Sequence, residues 1–237
     1  MLASIIICSY NSADTLDGAL YSALTQDFPS DEFEVLLVDD GSTDETVELA
    51  ASYEKKHGNL RYLRLPLNKG KPAAWERGFQ TARGKYFTSL DSGDALHPRM
   101  LRECVAALEL DVADLAYCDY HEVTLADNSH KHIRMDCFDP VGIIGRAAVL
   151  RMDIFSALPR PSVSISGWHD VYQRYIKASE RQPIRVPQPL YFRCPQSPES
   201  DPGRGSVDSQ KWMPASDSNG LLVVQGQSPA GKRILAV

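Results

Sequence analysis

The chain has 237 residues, 43% of them hydrophobic and 24% charged, and its formal net charge at pH 7 is −6. These values are typical of a globular protein with one large domain, or with one domain and a small appendage, that can bury a substantial core. The negative charge argues against a broad nucleic-acid-binding face, which needs clustered basic residues, but it is compatible with one nucleotide in a pocket.

The first 110 residues alternate four times between apolar runs and segments with helical periodicity. The predicted strands are ASIIIC (3–8), FEVLLV (33–38), LRYLRL (60–65) and KYFTSL (85–90). This alternation predicts a doubly wound, mostly parallel α/β sheet. In such sheets, ligands bind outside the carboxyl ends of the strands.

The predicted helices between these strands carry start signals. Ser12 is a suitable N-cap for the first helix, and Ser42 or Thr43 for the second. Pro72 occupies the first turn of the third helix. Small residues form one face of that third helix: Ala73, Ala74, Gly78 and Ala82.

After residue 110 the pattern becomes mixed. The predicted strands are DLAYCDYHEVTL (114–125) and HKHIRMDCF (130–138), followed by a strand passing into a helix at 145–158 and a helix at 166–180. IRVPQPLYFRC (184–194) is predicted as a proline-interrupted pair of short strands at a sheet edge. From residue 195 onward Pro, Ser, Gly and Asp dominate, which predicts loop or disorder, with a terminal hairpin at 220–237.

The cysteines and the hydropathy bear on the cellular setting. The five cysteines are scattered and include no C-x-x-C pair, so neither a disulfide framework nor a structural zinc site is predicted. No apolar run approaches the length of a membrane span, and the run IIIC is too short for a signal-peptide core. We therefore expect a cytoplasmic protein, and contact with the inner face of a membrane is compatible with the sequence.

Three polar clusters follow predicted parallel strands: Ser9-Tyr10-Asn11, Asp39-Asp40 and Asp91-Ser92-Gly93-Asp94. Taken one at a time, a core tyrosine, a helix cap and an ordinary turn explain them. Because the carboxyl ends of parallel strands meet at one edge of a sheet, however, we expect the clusters to converge. Their convergence indicates a ligand site.

The chemistry of the clusters suggests a nucleotide. Carboxylates repel a phosphorylated ligand unless a divalent cation lies between them, and hard oxygen ligands favour Mg²⁺ or Mn²⁺. Tyr10 offers an aromatic face to a base, and Asp39 or Asp40 can accept a hydrogen bond from the ring N–H of uracil or thymine. Together the residues predict a pocket for a pyrimidine nucleoside diphosphate with a metal ion.

Four stretches resemble the inverting, nucleotide-sugar-dependent glycosyltransferases of family 2, which have the GT-A fold: SIIICSYNSADTLDGALYSALTQ, FEVLLVDDGSTDETVELA, NKGKPAAWERGFQTARGKYFTSLDSGDALHPRML and GWHDVYQRYIKA. The resemblance covers roughly residues 3–194. It implies a GT-A-like, mostly parallel central sheet with a mixed C-terminal half. The implied organisation is one domain over 1–194, with a nucleotide-binding half (1–110) and an acceptor half (111–194), followed by a loop-rich tail (195–237).

The resemblance also implies roles for the first two clusters. Tyr10 would stack on the uracil, between Ser9 and Asn11, which are further nucleotide-binding candidates. Asp40 would accept from the ring N–H, with Asp39 beside it.

In the third cluster, the resemblance implies that Asp94 holds the metal. Asp91 supports it through the ribose or a water molecule. Family members commonly read LDSDD here, and Gly93 replaces the middle aspartate.

The implied catalytic base is Asp170, the second residue of a pair that in the family is Glu-Asp and here is His169-Asp170. For Asp170 the alternative is a first-turn residue stabilised by the helix dipole. His169 and Arg193 are weaker candidates for contacts with the acceptor or the diphosphate. Lys69 and Lys71 are candidates for the diphosphate, with solvated surface charge as the alternative.

The implied activity moves a sugar with inversion from a UDP or dTDP donor to the hydroxyl of a carbohydrate or glycolipid acceptor. It requires Mn²⁺ or Mg²⁺ and serves bacterial-type surface polysaccharide or glycoconjugate synthesis. Two alternatives stay open: a non-catalytic nucleotide- or sugar-binding relative, and a nucleotidyltransferase. A nucleotidyltransferase usually has a glycine-rich, basic phosphate loop after the first strand, and the loop CSYNSADTLDG is neither, so this alternative ranks low. A processive synthase is excluded because no Q-x-x-R-W stretch is present. The sugar, the linkage and the oligomeric state stay open.

Overall fold

A computed structural model gives the structure of the chain and describes residues 1–124, 129–135, 146–159, 165–194, 213–216, 222–228 and 231–236. For residue 124, residues 165–170 and the three strands after residue 212, only the backbone is described. The elements, in chain order, are β1 (Ala3–Ser9), α1 (Ala13–Leu24), β2 (Phe33–Asp39), α2 (Thr46–Lys56), β3 (Leu60–Arg64), α3 (Lys71–Thr81), β4 (Tyr86–Asp91), β5 (Ala95–Leu96), α4 (Met100–Glu109), β6 (Leu115–Thr124), β7 (Ser129–Ile133), β8 (Ala148–Arg151), α5 (Met152–Ala157), α6 (Ile165–Ala178), β9 (Ile184–Arg193), β10 (Met213–Ser216), β11 (Leu222–Ser228) and β12 (Gly231–Ala236).

The described strands of the main sheet follow the order β3-β2-β1-β4-β8-β6-β9-β5, and β7 pairs with β6 outside this path. The four strands β3, β2, β1 and β4 are mutually parallel, as the alternating pattern predicted. Every residue of β1 and β2 is buried, which explains their largely apolar sequences.

The second half of the sheet is mixed, as the sequence and the family resemblance predicted. β8 is antiparallel to β4 and to β6, whereas β9 is parallel to β6 and antiparallel to β5. The prediction of two short strands over 184–194 is wrong, because β9 is one strand. The predicted edge position holds for its first part among the described strands, since β5 pairs only with Tyr191 and Phe192. The register of β9 slips where Pro189 faces Asp119, and this bulge accommodates a proline inside the sheet.

A separate antiparallel sheet has the order β10-β11-β12. The predicted terminal hairpin is confirmed by the pairing of β11 with β12. The prediction of loop is wrong for residues 213–216, because they pair with the edge of that hairpin from Met213 opposite Gln225 to Ser216 opposite Leu222. Hydrogen bonds to a neighbouring strand supply order that the local composition does not indicate.

The helix starts differ in part from prediction. Ser12 is the N-cap of α1, but its side chain makes no capping hydrogen bond within the described chain. Glu45 is the N-cap of α2, so the prediction of Ser42 or Thr43 is wrong. Pro72 lies in the first turn of α3 as predicted. Among the residues that the structure describes, no helix is both long and apolar enough to cross a membrane.

Two glycines bring the elements of the site close together. A Cβ at Gly78 would come within 2.5 Å of Ile6 Cγ2, so the small-residue face lets α3 pack directly on β1. Gly41 has φ +78°, and a Cβ there would lie 2.7 Å from the backbone carbonyl carbon of Leu67. This close approach brings the chain before α3 against the end of β2.

Candidate functional site

A cavity of about 440 Å³ lies at the carboxyl ends of β1, β2 and β4. This volume is within the range of small-molecule sites, roughly 300–1,000 Å³. Seven of the predicted site residues line it: Ser9, Tyr10, Asp40, Lys71, Asp91, Asp94 and Arg193. The three polar clusters therefore converge as expected from the sheet topology, although the sequence separates the first from the last by about 80 residues.

Tyr10 stands at the rim of the cavity and is 45% exposed. The alternative of a half-buried core tyrosine does not describe it, because its ring is available to a flat ligand. Ser9, which ends β1, is buried, and its Oγ has no hydrogen-bond partner among the described residues. A buried hydroxyl of this kind can donate to or accept from a ligand.

Asn11 holds two loops together and does not line the cavity. Its backbone is in the left-handed region with φ 46°. Its N–H donates to Ser42 Oγ at 2.9 Å, and its Oδ1 accepts from the Thr43 N–H at 2.9 Å. Asn11 therefore ties the chain after β1 to the chain after β2, and this contact sets the position of its neighbour Tyr10.

Asp39 is fully buried and does not line the cavity. Its Oδ1 accepts from the N–H of Ser42 at 2.9 Å and from the Ser42 hydroxyl at 2.5 Å, and its Oδ2 accepts from Tyr62 Oη at 2.7 Å. Arg64 Nε lies 3.5 Å from the same Oδ2. Burial, together with the hydrogen bond to Asp39, raises the pKa of Tyr62. These contacts hold the Asp39 carboxylate in the interior, between β2 and β3.

Asp40 is the member of the pair that faces the cavity. Its Oδ1 accepts from the Lys69 N–H at 2.9 Å and its Oδ2 from the Gly70 N–H at 2.7 Å. These two backbone donors fix the carboxylate plane, and each oxygen keeps a second lone pair for a ligand. Lys69 thus contributes its backbone to the site, whereas its side chain is not part of the cavity wall.

Asp91 lies between two basic side chains. Its Oδ1 forms an ion pair with Lys71 Nζ, and its Oδ2 lies 3.3 Å from Arg146 Nη2. Lys71 also lies over the ring of Trp75, with 5.3 Å between Nζ and the ring centroid. Lys71 therefore lines the cavity wall, although its side chain is still 40% exposed.

Asp94 is only 6% exposed and is attached to β9. Its Oδ2 accepts from Tyr191 Oη at 2.6 Å and its Oδ1 from the Cys194 N–H at 2.9 Å. The pKa of Asp94 is raised from 3.8 to about 6, mainly by burial. The Tyr191 hydrogen bond lowers this pKa, and the negative charge of Asp91 raises it. Ionised Asp94 is thus a carboxylate that a nearby cation would stabilise.

The carboxylates suit a cation that shares its coordination with a ligand. Within the described ranges, no group of three or more His, Cys, Asp or Glu side chains is arranged to hold a metal ion. Asp91 and Asp94 nevertheless line the same cavity, and Mg²⁺ commonly uses one or two protein carboxylates together with phosphate oxygens. The residues therefore fit a phosphate-bridging cation and do not form a protein-only cage.

The sequence analysis did not identify Arg146, which also lines the cavity. β8 pairs with β4 so that Arg151 is opposite Tyr86 and Leu150 is opposite Phe87. Continuing this antiparallel register by four residues places Arg146 opposite Asp91. No local signal marks Arg146, because its position depends on the pairing of strands that are far apart in the sequence.

The remaining predicted residues lie after residue 110. Arg193 lines the cavity from the end of β9, with its Nη1 3.4 Å from Glu122 Oε1. The side chains of His169 and Asp170 lie outside the described residues. The backbone of α6 begins at Ile165, so Asp170 is the sixth residue of the helix and not a first-turn residue. The alternative based on a first-turn helix dipole is therefore wrong for Asp170.

Comparison with known proteins decides the family. The model of the family described as glycosyl transferase family 2 matches residues 4–158. The chain belongs to glycosyl transferase family 2. The match covers the four parallel strands, the three polar clusters and Arg146. The family resemblance read from the sequence is thus confirmed.

Relatives within family 2 include glycosyltransferase YibD of Escherichia coli, 33% identical over 116 residues that are 49% of this chain and 33% of that protein. The cholesterol galactosyltransferase of Borreliella burgdorferi is 31% identical over 125 residues, which are 53% of this chain and 34% of that protein. This chain therefore matches about a third of the length of these relatives.

Solved structures confirm the GT-A fold. The crystal structure of Staphylococcus aureus TarS 1-349 in complex with UDP-GlcNAc has a TM-score of 0.72 and 20% identity, over 87% of this chain and 62% of that chain. The mannosyltransferase PcManGT from Pyrobaculum calidifontis, in complex with GDP-Man and Mn²⁺, has a TM-score of 0.65 and 16% identity, over 81% of this chain and 56% of that chain. At these identities the similarity concerns the fold.

Proposed function

We propose that this chain transfers a sugar, with inversion, from a UDP or dTDP donor to a hydroxyl of a carbohydrate or glycolipid acceptor. The reaction uses Mn²⁺ or Mg²⁺ and contributes to a bacterial-type surface polysaccharide or glycoconjugate, in the cytoplasm at the inner face of the membrane. The observation that carries the proposal is a single cavity whose wall contains Tyr10, Asp40, Asp91 and Asp94 at the carboxyl ends of three parallel strands.

The nucleoside half of the donor is assigned to Tyr10 and Asp40. The exposed ring of Tyr10 stacks on the base, and the carboxylate of Asp40 accepts from a ring N–H. The N–H groups of Lys69 and Gly70 hold that carboxylate in place, so its free lone pairs point in a fixed direction. Uracil and thymine carry a proton on N3, whereas cytosine does not, and this difference favours UDP and dTDP.

The diphosphate half is assigned to the opposite wall. Asp94, with Asp91, holds the cation, which when bound neutralises charge that develops on the leaving diphosphate. Lys71 and Arg193 contribute positive charge from the cavity wall. Asp170 of α6 is assigned as the general base that takes the proton of the acceptor hydroxyl, on the strength of the His169-Asp170 motif.

Named relatives support the choice of donor and cation. TarS of S. aureus is named a poly(ribitol-phosphate) β-N-acetylglucosaminyltransferase and has been solved with UDP and with UDP-GlcNAc. PcManGT has been solved with GDP-Man and Mn²⁺. Guanine also carries a ring N–H, on N1, so a guanine nucleotide belongs in any test of base preference.

A thermal-shift panel tests the proposal. UDP, dTDP, GDP, CDP and ADP are compared with Mn²⁺ and with EDTA, because a ligand that binds only the folded chain raises its melting temperature. We expect UDP or dTDP with Mn²⁺ to give the largest shift. Equal shifts from all five nucleotides would refute the assignment of Tyr10 and Asp40 to the base.

A hydrolysis assay with UDP-sugars and Mn²⁺ separates the enzyme from a non-catalytic relative. We expect slow release of UDP, because water can replace the acceptor at the same site. Tight binding of UDP and Mn²⁺ without any hydrolysis or transfer would instead favour the binding protein.

A further inference from the structure

The three carboxylates of the cavity are held in different ways. Asp40 accepts from two backbone N–H groups, and Asp94 accepts from a backbone N–H and from the buried hydroxyl of Tyr191. Asp91 instead faces the two basic side chains of Lys71 and Arg146. Backbone and buried partners cannot leave without local unfolding, whereas long basic side chains can rotate to another anion.

The exposure of the three side chains is compatible with such an exchange. The side chains of Lys71 and Arg146 are 40% and 41% exposed, and that of Asp91 is 20% exposed. Ion pairs of this exposure stabilise a protein by only about 0–1 kcal/mol. A ligand that carries several negative charges can therefore compete with Asp91 for both cations.

We infer that Arg146 and Lys71 form a cationic clamp for the diphosphate of the donor, and that Asp91 is the counter-ion with which the diphosphate competes. This inference rests on the proposed function. The guanidinium of Arg146 can bind two phosphate oxygens side by side, and the ammonium of Lys71 acts as a point charge. The two groups approach Asp91 from different elements, one from the start of α3 and the other from the chain before β8.

The electrostatics of Arg146 agree with this assignment. Burial lowers the pKa of its guanidinium, but the negative charge of Asp91, with smaller contributions from Tyr191 and Asp94, raises it above its ordinary value. Arg146 therefore stays charged at any working pH. The cavity wall contains the cations Lys71, Arg146 and Arg193 beside three carboxylates. Without a divalent cation, a diphosphate therefore depends on these three side chains for positive charge.

Calorimetry with uridine, UMP and UDP in EDTA tests the clamp. Arg146→Gln should weaken UDP binding by about 10- to 100-fold, the range for lost hydrogen bonds to a charged partner, and should leave the affinity for uridine unchanged. Arg146→Lys keeps the positive charge and loses the paired N–H donors of the guanidinium. Its affinity for UDP should lie between those of the parent and Arg146→Gln. Arg102→Gln is the matched control, because it also removes an arginine from an exposed ion pair, with Asp27, on α4 outside the cavity.

Asp91→Asn provides a second test with the opposite sign. If Asp91 competes with the diphosphate, its removal should raise the ratio of UDP affinity to uridine affinity in EDTA by about two- to fivefold, the value of an exposed ion pair. If Asp91 and Arg146 only stabilise the loop, that ratio should stay constant or fall. The double variant Asp91→Asn with Arg146→Gln should show no rise in the ratio of UDP affinity to uridine affinity.

The outcomes distinguish this inference from the proposed function. If the parent binds UDP and Arg146→Gln weakens the binding of UDP no more than the binding of uridine, the inferred clamp is wrong and the proposed function stands. If the parent binds no nucleotide with or without Mn²⁺, both are wrong. Thermal melts of each variant check folding, and the gain expected for Asp91→Asn does not depend on whether Arg146→Gln folds.

Discussion

Asp94→Asn should make the folded chain more stable at neutral pH and at the same time remove its response to Mn²⁺. The pKa of Asp94 rises from 3.8 to about 6, mainly through burial. Each pKa unit corresponds to about 1.4 kcal/mol, so keeping Asp94 ionised at pH 7 costs the folded state about 3 kcal/mol. Because the residue is only 6% exposed, solvent screening reduces this cost little.

The amide is a close replacement for the carboxylate. The Asn oxygen can accept from the Cys194 N–H, and its NH₂ group can donate to Tyr191 Oη, so both existing contacts keep a partner. We therefore expect a gain of about 2 kcal/mol at pH 7, which for a chain of this size raises the melting temperature by about 5 °C.

The stability of the folded chain should depend on pH through the protonation of Asp94. In the folded chain Asp94 keeps its proton up to about pH 6, whereas in the unfolded chain it loses it near its ordinary value of 3.8. The stability that it contributes is thus fully present below about pH 4 and is lost as the pH rises through about 6. The advantage of Asp94→Asn should be small at pH 4 and complete at pH 7.

Urea unfolding of the parent and Asp94→Asn between pH 4 and 7.5, with and without UDP and Mn²⁺, measures both effects. Asp27→Asn is the control, because Asp27 is an exposed aspartate whose side chain is 55% accessible. UDP with Mn²⁺ should stabilise the parent and not Asp94→Asn. A variant that is less stable than the parent at pH 7, yet still stabilised by UDP with Mn²⁺, would refute the reasoning.

Three further predictions concern the other residues. Asp170→Asn should keep UDP binding near the parent level and slow transfer by at least ~100-fold, as expected for a lost general base; equal losses of binding and turnover would mark Asp170 as structural. Asp40→Asn should narrow the preference for UDP over CDP, roughly 1–3 kcal/mol in the parent, because an amide can also donate to the bare N3 of cytosine; calorimetry with both nucleotides measures this. Asp39→Asn should lower the melting temperature, because it disrupts the contacts with Ser42 and Tyr62, and should leave that preference unchanged; a changed preference at normal stability would place Asp39 in the base site.

The sequence by itself determined the parallel half of the sheet, β1 to β4. β1 and β2 are apolar at nearly every position because helices cover both faces of a parallel sheet, and this pattern is visible without any knowledge of their partners. Once four such strands are parallel, their carboxyl ends meet at one edge. The convergence of Tyr10, Asp40, Asp91 and Asp94 on one cavity followed from that topology.

The tertiary structure alone decided which residues of the rim face the cavity. Asp39 and Asp40 are equivalent in the sequence, but Tyr62 on β3 and Ser42 fix the first in the interior, and the backbone at Lys69 and Gly70 fixes the second at the cavity. Except for Ser42, these partners are 23 to 30 residues away in the sequence, and no local pattern specifies them.

In the second half of the sheet, even more of the contacts join segments that are distant in sequence and could not be predicted from local patterns. β9 was predicted as two short strands, yet it is one strand whose end pairs with β5, and at that end Tyr191 and the N–H of Cys194 hold Asp94. Arg146 faces Asp91 because β8 pairs with β4 in one particular register. Register depends on the packing of strands that are distant in sequence, because a shift of one residue turns every side chain to the other face of the sheet. The sequence therefore predicted the acidic rim, and only the folded chain supplied the arginine that faces it.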